Sequence, residues 1–342
     1  MEKFDVVIVG GGPAGLICAK RLAETELRVL LLEKNNVFGG KVCAGGLTRK
    51  GLSILDIPDE IIQHKIHNTA LHSIHRSSQA ITPDAIAVTV DRKDLGRWQR
   101  SLLQDTHVEI RQESRVVEIR DDRVVLRDGT EIGYGFLVGA DGYASVVRRF
   151  LGLPQDKTMI GIQYQVPMPG LEPRLEIFLD SRNFNSWYGW KFPHKDILAV
   201  GCGCDPRYYS PKKLKENFHA WLNNQNIDVS RAIYQSAPIS YDYRGLRFGN
   251  IFLVGDAAGI ASGLTGEGIY QSLVTGIEVA GYILGQEEES AEMKAVIRYN
   301  RIQERIMKVL IRLGPLRRLV YELIIILMNN KRFKNKVNNG FS

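Results

Sequence analysis

The chain has 342 residues, 44% of them hydrophobic, which is material for a large core and about two domains and excludes a small disulfide-stapled module. Its four cysteines, Cys18, Cys43, Cys202 and Cys204, show no Cys-x-x-Cys spacing, so iron–sulfur or zinc ligation is not expected. The net charge of +7 is uneven: residues 294–342 hold twelve Lys and Arg against Glu304 and Glu322, a net +10, and the remainder carries about −3.

Residues 6–9, Val-Val-Ile-Val, form an apolar strand that runs into Gly10-x-Gly12-x-x-Gly15. Strand, tight turn and helix N-terminus together make a diphosphate site: Gly10 permits the turn and Gly12 lets the backbone approach the phosphates. Gly15 lets the helix over 13 to about 24 pack on the sheet. A second apolar strand, residues 29–32, ends on Glu33, where a carboxylate can accept hydrogen bonds from an adenosine ribose. No signal peptide is legible ahead of these elements, so a cytoplasmic location is expected.

Residues 69–77 and 85–91 read as short strands. His64 and His67 stand at helical spacing, while His72 and His75 fall on opposite faces of the first of these strands, so no common metal-ligand sphere follows and no metal is expected. Lys65 lies in what reads as an ordinary helix or turn. Residues 136–148 put Asp141-Gly142 after an apolar strand. Four further strands, 160–166, 174–179, 186–192 and 197–204, are separated by Pro, Gly, Asn and Asp turns, and Cys202 and Cys204 share one face of the last. An amphipathic helix at 211–224 and a segment at 234–240 lead back to a strand at 251–255. That strand delivers Asp256 into a small-residue loop, and a helix follows from Gly268 and Ile269 to about 284. A carboxylate at a strand end before such a loop suits a ribityl chain and an isoalloxazine ring. The three separated motifs make FAD the expected cofactor.

In the tail, Ile302, Ile306, Val309, Leu310 and Leu313 recur at helical spacing among basic residues, Gly314-Pro315 breaks the pattern, and a second apolar-rich helix follows. Its apolar run is too short to span a bilayer, which takes about twenty residues. Two readings stay open for 294–342: a cap packed on the body, or a peripheral anchor on an anionic membrane, at the inner face of a cell's membrane. Nucleic acid is not expected, since no aromatic-basic platform accompanies the charge. The fold class is thus α/β, with a Rossmann-like FAD-binding domain (1–50, 91–155 and 245–285) and an interleaved, mostly antiparallel β-sheet substrate domain (51–90 and 156–244). A basic C-terminal helical segment (286–342) completes it.

Residues 38–47, Phe-Gly-Gly-Lys-Val-Cys43-Ala44-Gly45-Gly46-Leu, and 187–193, Trp-Tyr188-Gly-Trp190-Lys-Phe192-Pro193, together resemble the geranylgeranyl reductase family of flavoproteins, which saturate double bonds of isoprenoid chains. The resemblance covers most of the chain. It implies a flavin loop at Cys43-Ala44-Gly45-Gly46 and a substrate-lining strand at Tyr188, Trp190, Phe192 and Pro193. Further flavin contacts are implied at Ala14, Glu33, Arg92, the neighbourhood of Val116, Asp256, Gly268 and Ile269, beside the motif residues Gly10, Gly12, Gly15 and Asp141. Val42 stands where the family often has Pro. In a strand, Tyr188, Trp190 and Phe192 would project from one face about 7 Å apart, as a core stripe or as the wall of an apolar cavity.

The resemblance implies an apolar isoprenoid-like substrate and hydride delivery from reduced flavin N5, with a proton supplied to the other carbon. No side-chain acid is identifiable, and Cys43 is open as core residue, backbone element or thiol. Without a second Rossmann fingerprint, NAD(P)H would reach the flavin transiently; ferredoxin or another acidic electron-carrier protein is equally open as donor. Two other classes share the flavin motifs. One is an FAD monooxygenase or halogenase, although the halogenase Trp-x-Trp-x-Ile-Pro is absent; the other is a flavin-binding redox sensor or assembly factor without turnover.

Overall fold

The computed structural model describes residues 1–330, so Lys331, Arg332, Lys334 and Lys336 of the basic tail lie outside the described residues. Strand Glu2–Val9 pairs in parallel with Val29–Leu32 on one side and Glu131–Gly139 on the other. Glu109–Arg111 and Ile251–Leu253 extend the parallel run, and antiparallel Arg247–Phe248 closes the latter edge. Val6, Val7, Ile8, Leu30 and Leu31 are wholly buried. Their apolar residues run consecutively because a parallel sheet is covered on both faces. Helices Pro13–Leu22 and Ile269–Ile283 pack closely together: a Cβ on Gly276 would run into the Ala14 carbonyl and the Ile17 side chain.

A seven-stranded sheet forms the second lobe in the order Ile233–Ser240, Thr158–Pro167, Ile197–Cys204, Gly189–Pro193, Arg174–Phe178, Asn68–His72, Ser77–Ile81. All its pairings are antiparallel except that of Arg174–Phe178 with Asn68–His72. Helix Pro211–Asn224 covers one face and buries Leu214, Phe218, Trp221 and Leu222, the residues its amphipathic spacing singles out. A three-stranded sheet, Gly46–Thr48, Ala87–Val90 and Ile62–Ile66, joins the lobes.

Three local expectations are corrected. The single strand read at 69–77 is a hairpin, split where Ser73 N–H donates to the Arg76 carbonyl at 2.8 Å. His64 and Lys65 lie in strand Ile62–Ile66 and not in a helix, because pairing with Ala87–Val90 overrides the three-residue His spacing. The strand expected at 186–192 begins only at Gly189. Before it, Asp180 caps the short helix Ser181–Phe184 by accepting from Arg182 N–H, and Asn185 turns the chain at φ 58°.

The tail forms helices Ala291–Arg312 and Arg317–Asn329, separated by a turn at Gly314–Leu316. Met293 and Val296 join the core of the parallel sheet and Met307 the core of the second lobe, so the first helix straps the two lobes together. Among the described residues no helix is long and apolar enough to cross a membrane.

Gly276→Val should overpack the junction of the two helices and cost about 1–3 kcal/mol. Thermal unfolding of the FAD-free protein is the measurement, and an unchanged Tm would contradict the close approach.

Candidate active site

The carboxyl ends of the parallel strands and one face of the seven-stranded sheet enclose a cavity of about 700 Å³. In an open α/β sheet this is where ligands bind. Gly10, Gly12, Ala14, Glu33, Cys43, Ala44, Gly46, Arg92, Val116, Asp141, Asp256, Gly268 and Ile269 all line it, as do Tyr188, Trp190 and Phe192. Gly15 and Pro193 do not. A Cβ on Gly15 would strike the Gly10 carbonyl, so Gly15 seats the helix beneath the turn and out of the cavity. Pro193 is buried behind the aromatic wall, where its carbonyl accepts from Thr89 Oγ1 at 2.7 Å.

At one end the cavity is shaped for a dinucleotide. Gly10 has φ +111°, and a Cβ there would collide with the Ala140 carbonyl, so the turn presses against the end of strand Glu131–Gly139. Gly12 is different: a Cβ built on it meets nothing within 4 Å, leaving an open cradle at the N-terminus of helix Pro13–Leu22. The Glu33 carboxylate is fixed by Gly11 N–H at 2.7 Å and by the backbone and side chain of Asn35 at 2.9 and 2.8 Å. Asp141 accepts from Val146 N–H at 2.6 Å through one oxygen, while its other oxygen is buried without a partner. Burial pushes the Asp141 carboxyl above the usual range, against hydrogen bonds from Ser145 and Val146. Arg92 Nη1 is likewise buried and unpartnered. Buried polar atoms are ordinarily satisfied, so an orphan donor, an orphan acceptor and an open glycine cradle fit a polar ligand with a diphosphate. Asp256 is held across the cavity by an ion pair with Lys41.

At the other end, the Cys43–Gly46 loop faces the aromatic side chains. Gly45 adopts φ +77°, and a Cβ on it would strike the Val90 carbonyl and the His194 ring. The loop is pinned from the opposite lobe: Gln163 Nε2 donates to the Cys43 carbonyl at 3.1 Å, and His194 Nε2 lies 3.0 Å from the Ala44 carbonyl. Burial lowers the His194 pKa, outweighing the Ala44 bond and the nearby Asp91, so a neutral ring donates there. The Cys43 thiol accepts from Gly45 N–H at 3.3 Å. Tyr188 and Trp190 meet edge to face with centroids 6.0 Å apart, and the Tyr188 hydroxyl donates to the Thr265 carbonyl.

Sequence reasoning missed Gln163, His194, Lys41 and Glu267, all of which reach this region through contacts distant in sequence. The only local signals are a Gln within a strand of mostly apolar residues and a His just past Phe192-Pro193. Among the described residues no group of His, Cys, Asp and Glu gathers at metal-binding distances.

A Gly-rich turn at the end of the first strand, with Glu33, Asp141 and Asp256 at other strand ends, defines a Rossmann-like flavoprotein. The chain belongs to the FAD binding domain family, whose model matches residues 3–312. It is similar to digeranylgeranylglycerophospholipid reductase 2 of Methanopyrus kandleri, 28% identical over 325 residues that cover 87% of this chain and 81% of the relative. It is also similar to geranylgeranyl diphosphate reductase of Rhodobacter capsulatus, 28% identical over 291 residues, covering 78% of this chain and 72% of the relative. The fold matches that of a geranylgeranyl bacteriochlorophyll reductase-like protein of Thermoplasma acidophilum with a TM-score of 0.81, over 97% of this chain and 92% of that one, at 19% identity. The protein is an FAD-dependent oxidoreductase.

A Cβ at residue 12 meets no protein atom within 4 Å, so Gly12→Val should place its side chain in the cradle itself. FAD affinity should drop on the order of 100-fold, or about 2.7 kcal/mol, while the Tm of the FAD-free protein stays put. Tight FAD binding by this variant would overturn the role given to Gly12.

Proposed function

We propose that the protein reduces carbon–carbon double bonds of an isoprenoid or polyprenyl lipid, with the cavity residues named above holding FAD at one end and the lipid at the other. The observation that carries this reading is the single cavity in which the Cys43–Gly46 loop faces Tyr188, Trp190 and Phe192. Bound and reduced, FAD supplies hydride. An isolated alkene has no carbonyl to polarise, so the chain's part is to orient the lipid, exclude water and supply a proton. Apolar burial favours a long hydrocarbon by about 25 cal/mol per Å². The curated relatives with reductase names act on geranylgeranyl compounds by those names, which supports the same substrate class. A halogenase-type reading gains nothing from Lys65, which pairs with Asp59 at 2.9 Å and is absent from the cavity wall. The electron donor is NAD(P)H or an acidic carrier such as ferredoxin.

The same proposal sets the enzyme on an anionic membrane, where such lipids dissolve. Helix Ala291–Arg312 exposes Ile302, Ile306 and Val309, and the next helix exposes Leu319, Leu323 and Ile326. Of the three acids of these helices, Glu304 pairs with Lys157 and Lys308, Glu322 with Arg76, and Glu292 accepts from the Tyr270 hydroxyl. The exposed charge, with Arg298, Arg301, Arg305, Arg312 and Arg318 against Glu292, is therefore predominantly positive and complements acidic headgroups.

Anaerobic incubation of chemically reduced enzyme with geranylgeranyl compounds should add two hydrogens per bond reduced. Trp190→Ala should slow this turnover about tenfold or more, by losing apolar contact with the lipid, while FAD affinity changes far less. Lipids left unchanged across free, phosphorylated and glycerol-linked chains would refute the function.

Co-sedimentation with vesicles should require anionic lipid and weaken with salt, because exposed charges are screened beyond about 8 Å at physiological ionic strength. Ile306→Glu with Leu319→Glu should abolish it. Equal binding to neutral vesicles, or self-association in place of vesicle binding, would assign the apolar stripe to something other than an anionic membrane.

A further inference from the structure

We infer that Glu267 is the acid that delivers the proton to the alkene, an assignment that rests on the double-bond reduction proposed above. Glu267 lies at the end of the loop that enters helix Ile269–Ile283, and it shares the cavity wall with Cys43, Trp190 and Phe192. Its Oε1 accepts from Thr48 Oγ1 at 3.3 Å, and the Gln271 side chain is its other hydrogen-bond partner. Three phenols feel the charge of this carboxyl: Tyr188 before the aromatic strand, Tyr270 on the following helix and Tyr299 on the C-terminal helix. Among the described residues no cation pairs with it. Lys50 acts on it only through space, Lys41 is taken by Asp256, and Tyr270 is itself bound to Glu292.

The other carboxyls of the cavity are all committed at the dinucleotide end or to a cation. Glu33 is bound by amides, Asp141 by the Val146 N–H, and Asp256 by Lys41. The Tyr188 hydroxyl spends its proton on the Thr265 carbonyl, and the Cys43 sulfur accepts from Gly45 N–H. Among the described carboxyls of the cavity, Glu267 alone has neither an ion pair nor a backbone amide on its oxygens, and it shares the wall with Tyr188, Trp190 and Phe192. Burial raises its pKa above the ordinary carboxyl value and outweighs the bonds from Gln271 and Thr48. A carboxyl in an apolar pocket is kept protonated and serves as an acid in this way.

The chemistry balances. As the π bond opens, one carbon takes hydride from the reduced cofactor and the other takes the proton of the Glu267 carboxyl. Two C–H bonds form, the flavin is left oxidised, and the carboxylate recovers its proton from water before the next turnover. Because the acid form is required, the rate should be full below the pKa of Glu267 and fall as pH rises through it.

Glu267→Gln keeps the shape and the hydrogen bonds but removes the acid. FAD affinity and Tm should match the wild type, while single-turnover lipid reduction drops on the order of 10²–10⁴-fold and the high-pH limb disappears; Glu267→Asp should recover part of the rate. A readout independent of turnover is the infrared carbonyl band of a protonated carboxylic acid in FAD-free protein, expected in wild type to persist to higher pH than an ordinary carboxyl allows and to be missing in Glu267→Gln. Wild-type rate and pH profile in Glu267→Gln, or no such band, would overturn the assignment while leaving the reductase reading intact. A wild type that reduces no isoprenoid would overturn the reductase reading, and the catalytic role of Glu267 with it.

Discussion

The structure depends on the close approach of the Gly10 turn to Ala140 at the ends of two adjacent parallel strands. A side chain at residue 10 would meet the Ala140 carbonyl, so only glycine lets strands Glu2–Val9 and Glu131–Gly139 finish level with each other. With Val29–Leu32 and Ile251–Leu253 in register on either side, their ends present Glu33, Asp141 and Asp256 to one cavity. Parallel pairing does this economically, since every strand delivers its next residues at the same edge. The helix beginning at Pro13 then brings its amide ends to the same point.

Where pattern and chemistry are local, the sequence was legible. The consecutive apolar strands, the Gly10-x-Gly12-x-x-Gly15 turn and the amphipathic helix Pro211–Asn224 each depend on neighbours a few residues away. Long-range pairing was not. His64 and His67 stand three residues apart, a spacing equally at home in a helix or in extended chain, and Ala87–Val90 decides between them. Pro193 sits next to Phe192, yet the alternation of a strand turns it away from the cavity. Glu267 reads as one more residue of a small-residue loop. Its significance comes from Thr48, Tyr188 and Tyr299, which lie on three elements remote in sequence.

The two lobes meet through main-chain carbonyls that side chains of the second lobe satisfy. Gln163 and His194 hold the Cys43 and Ala44 carbonyls, and Gln163 is 2% exposed. Leaving such a carbonyl buried and unpaired would cost about 1–3 kcal/mol, so the loop's position is tied to the seven-stranded sheet. The glycines make the approach possible, because a Cβ on Gly46 would strike the Phe192 ring. The aromatic wall and the loop are therefore set at one distance by the same contacts.

The helix Ala291–Arg312 couples this interior to the outside of the molecule. On its inner side Gln303 accepts from Ser262 Oγ at 2.6 Å and Asn300 donates to the Ile260 carbonyl, while the Tyr299 phenol is pushed up to about 12 by burial and, second, by nearby Glu267. These contacts brace the loop that carries Glu267 toward the aromatic wall. On another face of the same helix stand Ile302, Ile306 and Val309, open to solvent, and the cations lie beyond them. One continuous helix thus joins the loop at the cavity wall to an exposed apolar face of the molecule. Met307, in the core of the second lobe, and Met293, in the core of the first, hold that element against both lobes at once.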